Sequence, residues 1–199
     1  MRPLGTPSST VKAYACLPKQ SFEDGDRSVR PVRPEDIEAI RRWRNAQIDV
    51  LRQARPITAD EQEAYYAKHI WPAMAEARPS ALLLGYLEKG RLIGYGGLVH
   101  IAWEHRRAEV SFLVDPTRTL DADGYRADFQ RFLRLLKEVA FSALGFNRLF
   151  TETYSTRKHH IAVLEATNFR REGILRQHVV VAGTAVDSLI HGCLRSDER

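Results

Sequence analysis

Two carboxylates, a pair of adjacent histidines and one strand-to-helix loop are the parts of this chain whose types and spacing invite chemistry. The loop is TRTLDADG, which joins an apolar strand pattern, AEVSFLVDP, to an apolar helix pattern, YRADFQRFLRLLKEVAF. A helix opening at a strand's end turns its free N–H groups toward whatever sits there, which is how proteins hold phosphates. The stretch from Ala108 to Arg126 therefore predicts a phosphate cradle. Its loop is chemically poor for that purpose, with a single glycine, Gly124, beside Asp121 and Asp123. Upstream, Glu109 shares one strand face with Ser111 and Leu113. Glu152 lies in a second strand pattern, RLFTETYS, and His159 and His160 follow it in TRKHHIAVLEATN. Histidine titrates near pH 6.5 and can take or give a proton, but two adjacent residues cannot share a helix face.

Other reactive types form no pattern. Cys16 and Cys193 are far apart and read as free thiols, and His178, Asp187 and His191 lack metal-ligand spacing, so no metal is expected. The net charge of +5 admits either a solvated basic surface or a locally basic pocket for a nucleotide-like ligand. Basic residues are not interleaved with aromatics in a patch, which argues against nucleic acid. No apolar run approaches the roughly 20 residues of a membrane span, and the N-terminus lacks the apolar centre of a signal peptide. A soluble, cytoplasmic protein with no membrane partner is expected.

The elements that must position these groups follow from periodicity. Residues 1–27 mix Pro, Gly, Ser and charge without a period and read as a mobile N-terminal tail; the domain proper is expected over 28–199. A short strand at Ser28–Val32 precedes a helix, PEDIEAIRRWRNAQIDVLRQ, opened by Pro34. A second helix follows Pro56, with Thr58 and Glu61 spaced as a capping box. Three strands come next, turning at Lys89–Gly90 and near Glu104–Arg106, and then the apolar helix that stops at Gly145. RLFTETYS, a further helix and two final strands turning at Gly183 complete the chain. A helix after the fourth strand and another after the fifth predict a parallel crossover inside an otherwise antiparallel sheet, an α/β (α+β) fold.

This pattern resembles the GNAT superfamily of acetyl-CoA-dependent N-acetyltransferases, in the branch with ribosomal-protein and amino-sugar acetyltransferases. The resemblance covers about Ser28 to Arg195 and is carried by VRPEDIEAIRRWRN, LIGYGGLVHIAWEHRRAEVSFLVDP, FNRLFTETYSTRKHHIAVLEATNF and REGILRQHV. It implies a mixed, mostly antiparallel sheet, flanked by helices and splayed between its fourth and fifth strands, with acetyl-CoA as co-substrate in the cleft. The pantetheine would pair with the fourth strand near Phe112, Leu113 and Val114. The pyrophosphate would sit on the next loop, conventionally R-x-x-G-x-G. Laid over this loop, that motif finds Thr119 at its arginine and Ala122 at its first glycine; only Gly124 matches. Tyr125 or Arg126 is expected to compensate, and Arg157 to reach the pantetheine or a phosphate.

Acetyl transfer needs a base for the amine, an oxyanion donor and an acid for the departing thiolate. The resemblance supplies the oxyanion donor from strand backbone. Glu109, acting through a water, is the first candidate base, with pairing to Arg106 or Arg107 as its structural alternative. Glu152 is the second, with pairing to Arg148 or Arg157 as its alternative. The tyrosine that relatives use as acid is replaced by Leu164, so His159 or His160 is expected to serve. Asn168 stands where relatives place a helix-ending glycine and should take its left-handed conformation. Arg44 and Asn45, in the W-R-N element, are the acceptor-site candidates. The expected acceptor is a primary amine of a small molecule, in the class of amino sugars, nucleotide-linked ones included. A ribosomal-type protein acetyltransferase and a non-catalytic acyl-CoA-binding module are the alternatives, and a homodimer is admitted.

Overall fold

The computed structural model of the chain describes residues 12–198. Eight strands form one sheet: β1 (Phe22–Asp24), β2 (Arg27–Pro31), β3 (Leu82–Glu88), β4 (Arg91–Ala102), β5 (Arg107–Val114), β6 (Arg148–Tyr154), β7 (Arg170–Val181) and β8 (Thr184–Leu194). Their order is β1-β2-β3-β4-β5-β6-β8-β7. All neighbours are antiparallel except β5 and β6, the parallel pair that the interleaved helices predict. That pair is short. It runs from Arg107 opposite Arg148 to Glu109 opposite Phe150 and then ends, so Val110–Val114 keep a partner only on the β4 side. Beyond Glu109 the sheet splays, and a strip of β5 backbone faces the gap.

The helices α1 (Ile37–Ala46), α2 (Ala59–Tyr65), α3 (Trp71–Ala73), α4 (Ala122–Lys137) and α5 (Lys158–Ala166) complete the fold. The capping box forms as the spacing predicts: Thr58 Oγ1 accepts from the Glu61 N–H at 3.2 Å, and the Thr58 N–H donates to Glu61 Oε2 at 2.9 Å. Helix α4 continues through a π-helical segment, Glu138–Ala143, and Gly145 then turns the chain with φ +69°. Asn168 adopts φ +64° after α5, the left-handed value expected there. The core sits between α4 and the sheet. Phe112 of β5 stacks on Phe129 at 4.5 Å between centroids, and Phe132 meets Tyr86 of β3 edge-on at 5.5 Å.

Two expectations change. Residues 1–11 of the expected tail lie outside the described residues. From residue 12 onward the chain is packed: Tyr14, Leu17 and Phe22 are buried, the Tyr14 hydroxyl accepts from the Leu83 N–H, and β1 pairs with β2. The sparse apolar residues of this stretch have no period, yet the large ones, Tyr14, Leu17 and Phe22, find places in the core. Helix α1 is also shorter than its pattern. It ends at Ala46, and Ile48–Val50 forms a separate 3₁₀ turn, because β-branched Ile48 and Val50 flank Asp49 in a poor helix-propagating run. The freed loop runs over the mouth of the splay.

Candidate active site

The splay opens into two cavities. The larger, about 660 Å³, lies toward α4 and is lined by Leu113, Val114, Ala122, Tyr125 and the first turn of α5. The smaller, about 160 Å³, holds Glu109, Glu152, Arg52 and Thr151. Three residues, Val50, Arg157 and His160, line both. They mark a waist between the two spaces. A thioester reaching the waist from one side would meet an amine reaching it from the other.

His160 is buried, with its ring stacked on Phe129 at 4.1 Å. Its Nδ1 lies 2.7 Å from the Tyr125 hydroxyl and 3.4 Å from Arg157 Nη2. A guanidinium only donates, so we assign Nδ1 as acceptor and the ring proton to Nε2. Burial, the Arg157 charge and His191 push the His160 pKa well below 6.5. His160 is therefore neutral near pH 7, and no imidazolium is at hand to protonate a thiolate. The phenol beside it does keep its proton, since burial raises the Tyr125 pKa against the opposing pull of Arg157. His159 is exposed and lines only the larger cavity, so of the two histidines only His160 reaches the waist.

Neither carboxylate has the partner that its sequence neighbours suggest. Glu109, nearly buried, has Oε1 at 3.0 Å from Arg52 Nη2 and Oε2 at 2.8 Å from His100 Nδ1. Glu152 Oε2 lies 2.9 Å from the same Arg52 nitrogen, and His178 approaches its other oxygen at 3.7 Å. Arg148 is engaged elsewhere, in a two-bond pair with Glu172. Arg52 and His100 are the residues that sequence reasoning missed. His100 is brought to Glu109 by the β4–β5 register next to a bulge, and Arg52 by the loop that α1 releases.

The two helix starts at the gap differ from expectation. Asp121 caps α4, its Oδ1 accepting the Asp123 N–H at 3.1 Å. A Cβ at position 124 would lie 2.5 Å from Asp121 Oδ2, so Gly124 makes room for the capping carboxylate. Neither Gly124 nor the exposed Arg126 lines the cavity; Tyr125 does. Pro116–Thr119 is a 3₁₀ turn capped by Asp115, and Arg118 within it is bound to Asp128 at 2.6 Å. Helix α5, in contrast, has no side-chain cap and opens with Arg157, Lys158 and His159, all of which line the larger cavity.

Arg44 and Asn45 line neither cavity. Arg44 bonds Tyr95 and Gln53, and Asn45 bonds Gln53 and both backbone groups of Ile57, so together they anchor the loop that carries Arg52. Gln47 Nε2 donates to the Val114 carbonyl at 2.8 Å, on the β5 end beside the cavity. Phe112 packs into the core and lines only the smaller cavity, while Leu113 and Val114 line the larger. Leu164 is fully buried, Asp187 accepts a β7 backbone N–H, and His191 is buried beside Glu165. No group of three His, Cys, Asp or Glu among the described residues is arranged to hold a metal.

Comparison with known proteins bears on the family and the fold. The family model described as "Acetyltransferase (GNAT) domain" matches residues 29–190. The uncharacterized N-acetyltransferase YoaA of Bacillus subtilis (strain 168) is 27% identical over 107 residues, which is 54% of this chain and 58% of that protein. The spermidine N-acetyltransferase from Vibrio cholerae, solved in complex with CoA and spermine, superposes with a TM-score of 0.75 at 20% identity, over 87% of this chain and 98% of that one. At that identity the likeness speaks for the fold, a mixed sheet with one parallel pair at the cleft. With the family model matching most of the chain, from within β2 to within β8, the chain belongs to the GNAT family of acetyltransferases.

Proposed function

We propose that the chain transfers the acetyl group of acetyl-CoA to a primary amine of a small molecule. One observation carries the reading: the two cavities meet at Arg157 and His160, with the Tyr125 phenol on one side and the Glu109 carboxylate on the other. The amine nitrogen attacks the thioester carbon and yields its proton to Glu109 through a water. The C–S bond then breaks, and the thiolate takes the proton of Tyr125. Solvent returns the proton from Glu109 to the phenolate. Glu152 is a second carboxylate on the same side, and His160, being neutral, holds the phenol by accepting its hydrogen bond. The resting backbone of β5 beyond Glu109 offers N–H groups to the pantetheine and the oxyanion.

Within the cofactor, Leu113 and Val114 serve the pantetheine, and Arg157 with Lys158 serves the phosphates. The acceptor side holds only about 160 Å³, a space that favours a small amine over a peptide. Two carboxylates there oppose a nucleotide-linked sugar, whose phosphates would meet like charge. A free amino sugar keeps a place in the class, as does the kind of amine named for the Vibrio cholerae enzyme.

The test is ligand-dependent stability followed by thiol release. Acetyl-CoA at 100 times its dissociation constant should add about 2.7 kcal/mol to folding stability. Small primary amines should then release CoA thiol faster than peptides do. No stabilisation by acetyl-CoA would sink the proposal.

A further inference from the structure

Arg52 sits where a cationic acceptor would have to bind. Its Nη2 alone touches both Glu109 and Glu152, and all three side chains line the acceptor-side cavity. Arg52 itself is half-exposed, with 45% of its side-chain surface accessible, and its neighbour Gln53 is fixed to Arg44 and Asn45. The loop is thus anchored beside a side chain that can swing into water at little cost. The carboxylates cannot: Glu109 and Glu152 keep only 10% and 16% of their side-chain surface exposed, and a charge so placed needs a partner.

We infer that Arg52 is a tethered stand-in for the acceptor, and that the acceptor is a small diamine or longer polyamine rather than a monoamine. This rests on the proposed acetyl transfer and narrows its substrate. The reason is charge balance during the reaction. The nitrogen that attacks must be neutral, its first proton leaving to solvent before Glu109 takes the second, so that nitrogen cannot neutralise Glu152 as well. Once Arg52 has left, Glu152 keeps only the half-exposed His178, at 3.7 Å, and a second cationic nitrogen restores the close charge partner that Arg52 gave. A monoamine would leave that carboxylate facing only His178, beyond hydrogen-bond distance. Thr151 adds a second, independent sign of a polar occupant: it is 3% exposed and lines this cavity, and its hydroxyl has no partner among the described residues.

Calorimetric titration of the full chain, saturated with CoA, against 1,4-diaminobutane and 1-aminobutane tests the inference without needing turnover. The diamine should bind at least about tenfold more tightly, the scale of one charge-assisted hydrogen bond. Glu152→Gln should abolish that preference. Arg52→Ala should tighten the diamine several-fold, and Arg52→Lys should restore wild-type affinity. Equal affinity for the two amines, or a preference that survives Glu152→Gln, overturns the inference. Thiol release measured in parallel keeps the two proposals apart: diamine-selective binding without acetyl transfer sinks the enzymatic reading alone, and transfer to both amines with equal affinity sinks this one alone.

Discussion

The first turns of α4 and α5 both border the larger cavity, yet they treat negative charge in opposite ways. Helix α4 begins with Asp121 bonded to its own backbone and Asp123 in its first turn. Helix α5 begins without a side-chain cap, has no acidic residue in its first turn, and carries Arg157 and Lys158. The positive end of a helix attracts anions, but a carboxylate already seated there cancels the attraction. The comparison teaches that architecture and charge can separate: α4 keeps the strand-to-helix position from which a phosphate cradle is expected, while the basic residues stand at the uncapped start of α5. What α4 retains is Tyr125, which crosses to His160 of α5 and ties the two helix starts together.

The sharpest way to break this picture is Tyr125→Phe. It deletes the hydroxyl while keeping the ring that packs near Phe112 and Phe129. The turnover number should fall about a hundredfold, the lower range for a lost acid catalyst, with the KM for acetyl-CoA little changed. An unaltered turnover number, measured by thiol release, would leave α4 with no chemical part. Next in size is Arg157→Ala. Losing a charge-assisted contact to a phosphate should raise the KM for acetyl-CoA about tenfold. If Arg126→Ala raises it as much and Arg157→Ala does not, the charge assignment belongs to α4 after all.

Much of this was legible in sequence, and what was not has physical reasons. The splay could be read because a helix follows each of two consecutive strand patterns, which forces one parallel pair. Glu109 and Glu152 could be placed on the cleft by strand alternation. Their partners could not. Arg52 reaches them only because α1 ends at Ala46, whereas Ile48 continues the apolar spacing and masks the break. The Tyr125–His160 bond joins residues 35 apart on different helices, and only the sheet order brings those helix starts together. Gly124 looked like the remnant of a phosphate motif, although Asp121 three residues earlier already signalled a cap that needs that space.

The tie between the helices should also show in acid. His160 and His191 both have pKa values lowered chiefly by burial. In the unfolded chain each titrates near 6.5. Above that pH both states are neutral and the full stability is present. As pH falls through 6.5, the unfolded chain binds protons that the folded chain refuses, so stability drops by up to about 1.4 kcal/mol per pH unit per histidine. Thermal midpoints recorded between pH 7.5 and 5.5 should decline, and the slope should lessen in His160→Gln. A midpoint that holds or rises over that window would mean that His160 accepts a proton in place, and that the α4–α5 tie is not the neutral bond described.

The smallest effect is the most discriminating for the comparison itself. Asp121→Asn keeps a capping oxygen, because asparagine caps about as well as aspartate, but removes the charge. If the phosphates lie within reach of the α4 start and are repelled by Asp121, the KM for acetyl-CoA should fall about threefold at low salt, the size of one charge acting at a helix terminus. Added salt should erase the gain, since exposed charges are screened beyond roughly 8 to 10 Å. A KM that stays the same at every ionic strength would place the phosphates wholly on the α5 side. The two helix starts would then divide the work completely, with α5 holding the anion and α4 supplying only the phenol.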